Sequence, residues 1–200
     1  MNLSERIGIL RRGFGRGVFP HQLTWVLDLP GRQFIMSAET VAGRLPVKPD
    51  AQVLEIGPGS GYYSVEVAKR IPQGRLTLLD IQPAMLEKTA DKLRAAGISN
   101  FETQPADGGA LPFEDASFDA IFMVTVFGEI EAREAFLAEA ARVLKPDGVL
   151  SITEHHPDPD FEPAEAIGAC LQAYGFVPLQ KLGWRWAYTL NAAKDGEKAA

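Results

Sequence analysis

The sequence predicts an α/β fold: an open, doubly wound, mostly parallel sheet with helices on both faces. Three observations carry the prediction. From residue 51 onward, apolar runs of strand length alternate with segments of helical periodicity. A glycine-rich turn joins the first of those strands directly to the first of those helices. The run Ala120, Ile121, Phe122, Met123, Val124 is apolar throughout, as expected of a strand buried on both faces of a parallel sheet.

The organising stretch is AQVLEIGPGSGYYSVEVAKR, residues 51–70. Val53, Leu54 and Ile56 make the first strand, with Glu55 inside it, where a charge is costly unless something pairs with it. Gly57, Gly59 and Gly61 follow at alternate positions, and Val65, Ala68 and Ile71 then recur on one helical face. Strand, glycine loop and helix together bring backbone N–H groups against a nucleotide-like ligand. A dinucleotide fingerprint, G-x-G-x-x-G, would place its third glycine at position 62, which is Tyr62. A nicotinamide-dependent oxidoreductase is therefore disfavoured.

Pro72, Gln73 and Gly74 end that helix, and RLTLLD gives a second strand closing on Asp80. An acidic side chain there can accept hydrogen bonds from both hydroxyls of a ribose, and Pro83 behind it also suits a helix-capping role. Residues 84–96 read as a helix with Met85, Leu86, Leu93 and Ala96 inward and Gly97 as its stop. A short third strand precedes Asp107 and Gly108, the fourth strand ends at Val124 and Thr125, and residues 131–144 form an amphipathic helix with Phe136, Leu137, Ala140 and Leu144 inward. Pro146 and Gly148 turn the chain into a fifth strand, VLSITEHH. Residues 163–174 are helical, and FVPLQKLG and WRWAYTLNAAK form a terminal hairpin. Ligands of such sheets bind beyond the carboxyl ends of the strands, which gathers the loops after Ile56, Asp80, Val124 and Ile152 around one crevice.

Composition bounds the function. Two hundred residues suit one substantial domain. An apolar fraction of 46% with 23% charged residues is globular, and a formal charge of −6 argues against general affinity for nucleic acid. Cys170 is the only cysteine, which excludes an intrachain disulfide and a cysteine-rich metal site and suits the cytoplasm. No run is long and apolar enough to span a bilayer.

Residues 1–50 read as an arm or cap of the same domain, residues 51–192 as the domain proper and residues 193–200 as a flexible tail. The first twenty residues are basic, with Arg6, Arg11, Arg12 and Arg16. They read either as a lid or surface meeting an anionic or lipid-like partner, including peripheral membrane contact, or as an arm packed with its arginines solvated.

Glu-x-Gly-x-Gly-x-Gly at residues 55–61, LPF with FDAIFMV at residues 111–124 and RVLKPDG at residues 142–148 resemble the class I S-adenosylmethionine-dependent methyltransferases, of the small-molecule type that includes quinone-biosynthesis and phospholipid relatives. The resemblance covers about residues 50–192. It implies a Rossmann-like, seven-stranded sheet whose last strand is antiparallel, with S-adenosylmethionine as cofactor and S-adenosylhomocysteine as product. It also implies a cofactor site of Glu55, Gly57, Gly59, Gly61, Tyr62, Asp80, Ile81, Gln82, Met85, Asp107, Gly108, Val124 and Thr125. Asp107 would face the adenine amino group, or else be an exposed loop residue. Glu55 would fix the glycine loop or the cofactor's ammonium group, since a fixed anion beside the sulfonium would oppose its loss of charge.

The implied activity is in-line methyl transfer to a small, apolar or amphipathic acceptor, lined by Phe14, Phe19, Trp25, Phe127, Trp184 and Trp186 if they converge. The alternative is a non-catalytic nucleoside-binding protein of the same fold. His155 and His156 are the candidate catalytic residues, one acting as base with Glu154 orienting it, or else structural partners of the following loop. His21 is the remaining histidine. No metal site is expected, because adjacent strand histidines such as His155 and His156 point to opposite sides, away from a shared ion with Asp158.

Overall fold

The computed structural model describes residues 36–106 and 110–195. Residues 1–35, with His21 and the arm aromatics, lie outside that range, as do Asp107 and Gly108. The described elements run α1 (Ala38–Arg44), β1 (Gln52–Ile56), α2 (Ser64–Arg70), β2 (Arg75–Asp80), α3 (Pro83–Ala95) and β3 (Phe101–Pro105). Then come β4 (Phe118–Val124), a 3-10 turn at Phe127–Glu129, α4 (Arg133–Val143), β5 (Leu144–His155), α5 (Ala164–Ala173), β6 (Phe176–Trp184) and β7 (Ala187–Lys194).

The strands form one seven-stranded sheet in the order β3-β2-β1-β4-β5-β7-β6. All neighbours are parallel except β7, which runs antiparallel between β5 and β6. The chain winds outward from β1 through β2 to β3, then returns to the other side of β1 for β4. That reversal opens a crevice at the carboxyl ends of β1 and β4, where side-by-side βα loops diverge.

Strand alternation divides the core into two layers. Leu54, Ile56, Ile121, Met123, Leu150 and Ile152 pack with Phe136, Leu137 and Ala140 of α4 and Ile167 and Leu171 of α5. Val53, Leu76, Leu78, Ala120 and Phe122 pack on the other face with side chains of α1, α2 and α3. The edge strand β6 carries Pro178 and a register shift beside it, which blunts further pairing.

The motif stretches prove to be structural partners of one another. Arg142 donates to the carbonyls of Leu111 (2.9 Å) and Phe113 (2.8 Å) and pairs with Asp115 and Glu139, so α4 clamps the segment before β4. Lys145 Nζ lies 2.8 Å from both carboxylate oxygens of Asp119, and Asp119 also accepts from the Gln52 N–H.

Some details differ from expectation. Ala96 is exposed rather than inward, because α3 ends at Ala95 and Gly97, at φ 74°, turns the chain away; the inner face is Met85, Leu86, Thr89, Ala90 and Leu93. Leu144 is buried as the first residue of β5 instead of the last of the helix: it pairs with Phe118, and residues 145–148 bulge out before Val149 resumes opposite Ala120. β7 runs on to Lys194, so residues 193 and 194 belong to the sheet.

Candidate functional site

At the end of β1 the chain makes a turn that only glycine adopts readily. Gly57, Gly59 and Gly61 all have positive φ, at 64°, 58° and 73°. Space excludes side chains too: a Cβ on Gly57 would sit 2.7 Å from Val126 Cγ2, and one on Gly61 2.9 Å from Thr89 Cγ2. Gly57 N–H donates to the Leu79 carbonyl and Gly61 N–H to that of Pro58. Thr89, on α3, donates its hydroxyl to the Gly59 carbonyl at 3.0 Å and so ties the loop to a distant helix.

Glu55 points from β1 into the layer of α2, and is only 2% exposed. Burial raises its pKa to about 8; the nearby Ser64 hydroxyl opposes the shift and the Asp80 carboxyl adds to it. Ser64 is close without reaching hydrogen-bond geometry. Glu55 Oε2, Ser60 Oγ and Ser64 Oγ are thus all buried with no hydrogen-bond partner among the described residues. Three such orphans around one glycine loop suit a ligand that brings its own donors, above all a cationic ammonium.

One strand away, Asp80 ends β2 at 8% exposure. Burial raises its pKa to about 6, opposed by the Gln82 N–H, which donates to Oδ1 at 2.8 Å. Ile81 is 54% exposed, Gln82 is the residue before α3 and half-buried, and Met85 is buried in the first turn of α3. Tyr62 is half-buried and packs edge-on against Tyr63.

Across the crevice, Val124 ends β4, and Thr125 adopts φ 52° while its N–H donates to the Thr153 carbonyl of β5 at 2.8 Å. A threonine in that conformation is uncommon and tightens the turn beside the reversal point. His155 is buried; its Nε2 lies 3.4 Å from Tyr63 Oη and its Nδ1 3.3 Å from the His156 carbonyl. His156 is exposed, stacks on Phe161 at 4.1 Å between ring centroids and meets the edge of Trp186. The histidines are therefore not a pair.

Glu154 does not orient His155. Successive strand residues face opposite sides, and Glu154 lies against Glu129, Arg133, Asp158 and Glu162 whereas His155 faces Tyr63. Of the expected aromatics, Phe14, Phe19 and Trp25 lie outside the described residues; Phe127 is fully buried in the core under the Arg133 guanidinium, and Trp184, the last residue of β6, is 78% exposed. The β6–β7 turn lies at the same end of the sheet as the crevice, since Ala187 pairs with both His155 and Trp184.

Tyr63, Ser60, Ser64 and Thr89 were not singled out by the sequence. Ser60 was visible as part of the loop, and the others approach it only through the packing of α2 and α3.

Residues 53–148 match the methyltransferase domain family. The ubiquinone/menaquinone biosynthesis C-methyltransferase UbiE of Klebsiella pneumoniae (strain 342) is 33% identical over 153 residues, which is 76% of this chain and 57% of that protein. The same enzyme of Cronobacter sakazakii is 33% identical over 139 residues, 68% of this chain and 54% of that protein. The chain thus spans just over half the length of the curated relatives it matches. Among solved structures, a SAM-dependent methyltransferase from Aquifex aeolicus superposes with a TM-score of 0.81 at 25% identity, covering 88% of this chain and 98% of that one. The [4+2]-cyclase SpnF superposes with a TM-score of 0.69 at 21% identity, over 78% of this chain and 79% of that one, and shares the fold alone.

The family's cofactor, S-adenosylmethionine, offers an α-ammonium group, a ribose diol and no pyrophosphate. The orphaned oxygens of Glu55, Ser60 and Ser64, the loop whose Gly57 and Gly61 leave no room for a Cβ and the strand-end Asp80 fit those features. The family match runs without a break from β1 to the turn before Val149 and takes in both the loop and Asp80, so residues 53–148 form a methyltransferase domain of the class I, S-adenosylmethionine-dependent type.

Proposed function

We propose that the protein transfers the methyl group of S-adenosylmethionine to a small-molecule acceptor by in-line displacement. The observation that carries this reading is the buried Glu55 carboxyl, with Oε2 unsatisfied, beside three glycines at positive φ, two of which, Gly57 and Gly61, have no room for a Cβ. The cofactor supplies an electrophilic methyl group, so the protein's tasks are orientation and exclusion of water.

In this reading Glu55, Gly57, Gly59, Gly61 and Tyr62 hold the amino-acid end of the cofactor. Asp80 takes the ribose hydroxyls, and Ile81, Gln82 and Met85 flank the base together with Asp107 and Gly108. Val124 and Thr125 border the reacting methyl group. Residues 1–50 act as a cap. The acceptor is small and apolar or amphipathic, and the curated relatives support a carbon acceptor by their name, C-methyltransferase of ubiquinone/menaquinone biosynthesis.

Where an acceptor proton must leave, His155 is the better-placed base. Donation from its Nδ1 to the His156 carbonyl puts the ring proton there and leaves Nε2 as the accepting atom, facing Tyr63. His156, exposed and stacked on Phe161, is the structural member of the pair. No described helix is long and apolar enough to cross a membrane. The cytoplasm is the proposed compartment, and peripheral contact through the arm belongs to the same proposal.

Calorimetric titration tests the donor: S-adenosylmethionine and S-adenosylhomocysteine should bind saturably and NAD should not. Saturable NAD binding with no response to S-adenosylmethionine would overturn the proposal. Radiolabelled methyl transfer to metabolites of a cell extract then tests turnover.

A further inference from the structure

Glu154 has no role in the chemistry so far described, and its position is expensive. It is 1% exposed near the carboxyl end of β5, and its Oε1 has no hydrogen-bond partner among the described residues. The charged groups that act on it are Asp158 and Glu162 of the segment after β5, Glu129 of the turn after β4 and Arg133 of α4. Arg133 is already engaged, donating two hydrogen bonds to Glu162 and one to the Ile130 carbonyl. Tyr188, opposite Glu154 on β7, gives its hydroxyl proton to the Glu162 carbonyl.

Glutamine or leucine would be cheaper in that place, so the carboxyl is kept at a cost. The acidic groups around it lie in the segments that follow β4 and β5, two strands whose carboxyl ends border the crevice. These segments are in contact, since a Cβ on Gly128 would sit 2.3 Å from the Asp160 carbonyl oxygen.

We propose that Glu154 is a binding residue for the methyl acceptor, donating a hydrogen bond from its carboxyl to an oxygen of that acceptor. Burial, with Asp158, Glu162 and Glu129 adding to it against Arg133, raises the carboxyl's pKa to about 9, so it carries its proton at neutral pH. A neutral carboxyl is a donor, not a base, and it favours an oxygen that gathers negative charge as the acceptor becomes nucleophilic. The acceptor class is then a phenol or enol bearing its oxygen within reach of Glu154, methylated at that oxygen or at an adjacent carbon. In either case the new bond forms from the cofactor methyl, the sulfonium takes the C–S electron pair, and the acceptor proton goes to a base on the opposite face, such as His155. This inference rests on the methyl-transfer reading.

The test is binding of 1,4-naphthohydroquinone, under reducing conditions, to the full chain saturated with S-adenosylhomocysteine. Glu154→Ala should weaken binding by about tenfold, the loss of one buried hydrogen bond. Glu154→Gln, which keeps a donor, should stay within about threefold of the parent at pH 7.5. It should also unfold at a higher temperature than the parent at pH 8, because it removes a carboxyl that the unfolded chain ionises and the folded chain does not. Unchanged affinity in Glu154→Ala, tighter binding of benzylamine than of the hydroquinone, no binding of the hydroquinone by the parent, or a lower unfolding temperature for Glu154→Gln would each overturn the assignment. S-adenosylhomocysteine binding separates the two levels: its absence in the parent sinks the methyl-transfer reading, whereas its presence with any of those outcomes sinks Glu154 alone.

Discussion

Glu55 and Glu154 stand near the carboxyl ends of β1 and β5, each almost inaccessible and each with one oxygen lacking a hydrogen bond. They face opposite layers. Glu55 meets the glycine loop and two serines, and among the described residues Asp80 is the acidic group that acts on it, so on the proposed reading an arriving ammonium group ionises the carboxyl and pairs with it. Glu154 meets three further carboxyls and an arginine already bound to one of them. On the proposed roles, the two sites desolvate the same functional group for different ends: one waits for a cation, the other stays a neutral donor.

The largest expected effect breaks the first site alone. Gly61→Val forces a β-branched residue into φ 73° with its Cβ 3.2 Å from the Thr89 backbone, so the loop must move. Stability should fall by about 3 kcal/mol, and S-adenosylhomocysteine binding should disappear while any helical signal in circular dichroism persists. Wild-type affinity in this variant would remove the loop from the site.

Asp80→Ala comes next. If Asp80 accepts both ribose hydroxyls, its loss should weaken S-adenosylhomocysteine binding by about 1–3 kcal/mol, measured by calorimetry, without altering hydroquinone binding at saturating S-adenosylhomocysteine. Weakened hydroquinone binding under those conditions would mean that the donor and acceptor sides are not separable.

The third prediction sets the two carboxyls against each other through pH. Glu55 titrates near 8 in the folded chain and near 4.5 as a free group. Below 4.5 both states hold the proton. As pH rises toward 8 the unfolded chain releases it and the folded chain does not, so the Glu55 contribution to stability declines through that window and levels above it. Glu55→Gln removes its share of the decline and should stabilise the protein at pH 8 by a few kcal/mol at most, while lowering cofactor affinity. Glu154 acts in the same direction over a window reaching about 9. Above pH 8 the slope that remains in urea unfolding should be shallower in Glu154→Gln than in Glu55→Gln. A slope that follows Glu55 instead would reverse the assignment of the two environments.

What the sequence disclosed follows from how local each constraint is. Alternate glycines after a strand are readable because backbone φ is set within a few residues, and Asp80 is readable because a strand must end where its helix begins. Thr89 was invisible: it reaches Gly59 across the packing of α3 on the loop, a contact with no signature in spacing. Glu154 was visible and misassigned. The alternation that separated His155 from His156 also separates Glu154 from His155, and adjacency in sequence outweighed it. Trp184 and Trp186 stand at the crevice end of the sheet, 78% and 52% exposed, a placement that depends on the β6–β7 hairpin and has no signature in spacing.

The smallest expected effect concerns the contact that joins the two sides of the crevice. Tyr63, just before α2, and His155, at the end of β5, meet at 3.4 Å between Oη and Nε2. With the His155 ring proton on Nδ1, Nε2 accepts from the Tyr63 hydroxyl. Tyr63→Phe keeps the ring packed against Tyr62 and removes that donor. Stability should change by less than about 1 kcal/mol, because the loss is one hydrogen bond at the long end of the range. Kinetics should be more sensitive. A donor to Nε2 favours neutral imidazole, so its removal should move the acidic limb of the kcat profile to higher pH, whereas His155→Ala should abolish that limb. An unshifted limb in Tyr63→Phe, together with a limb retained in His155→Ala, would show that His155 only packs against Tyr63 and that the acceptor's proton leaves by another route.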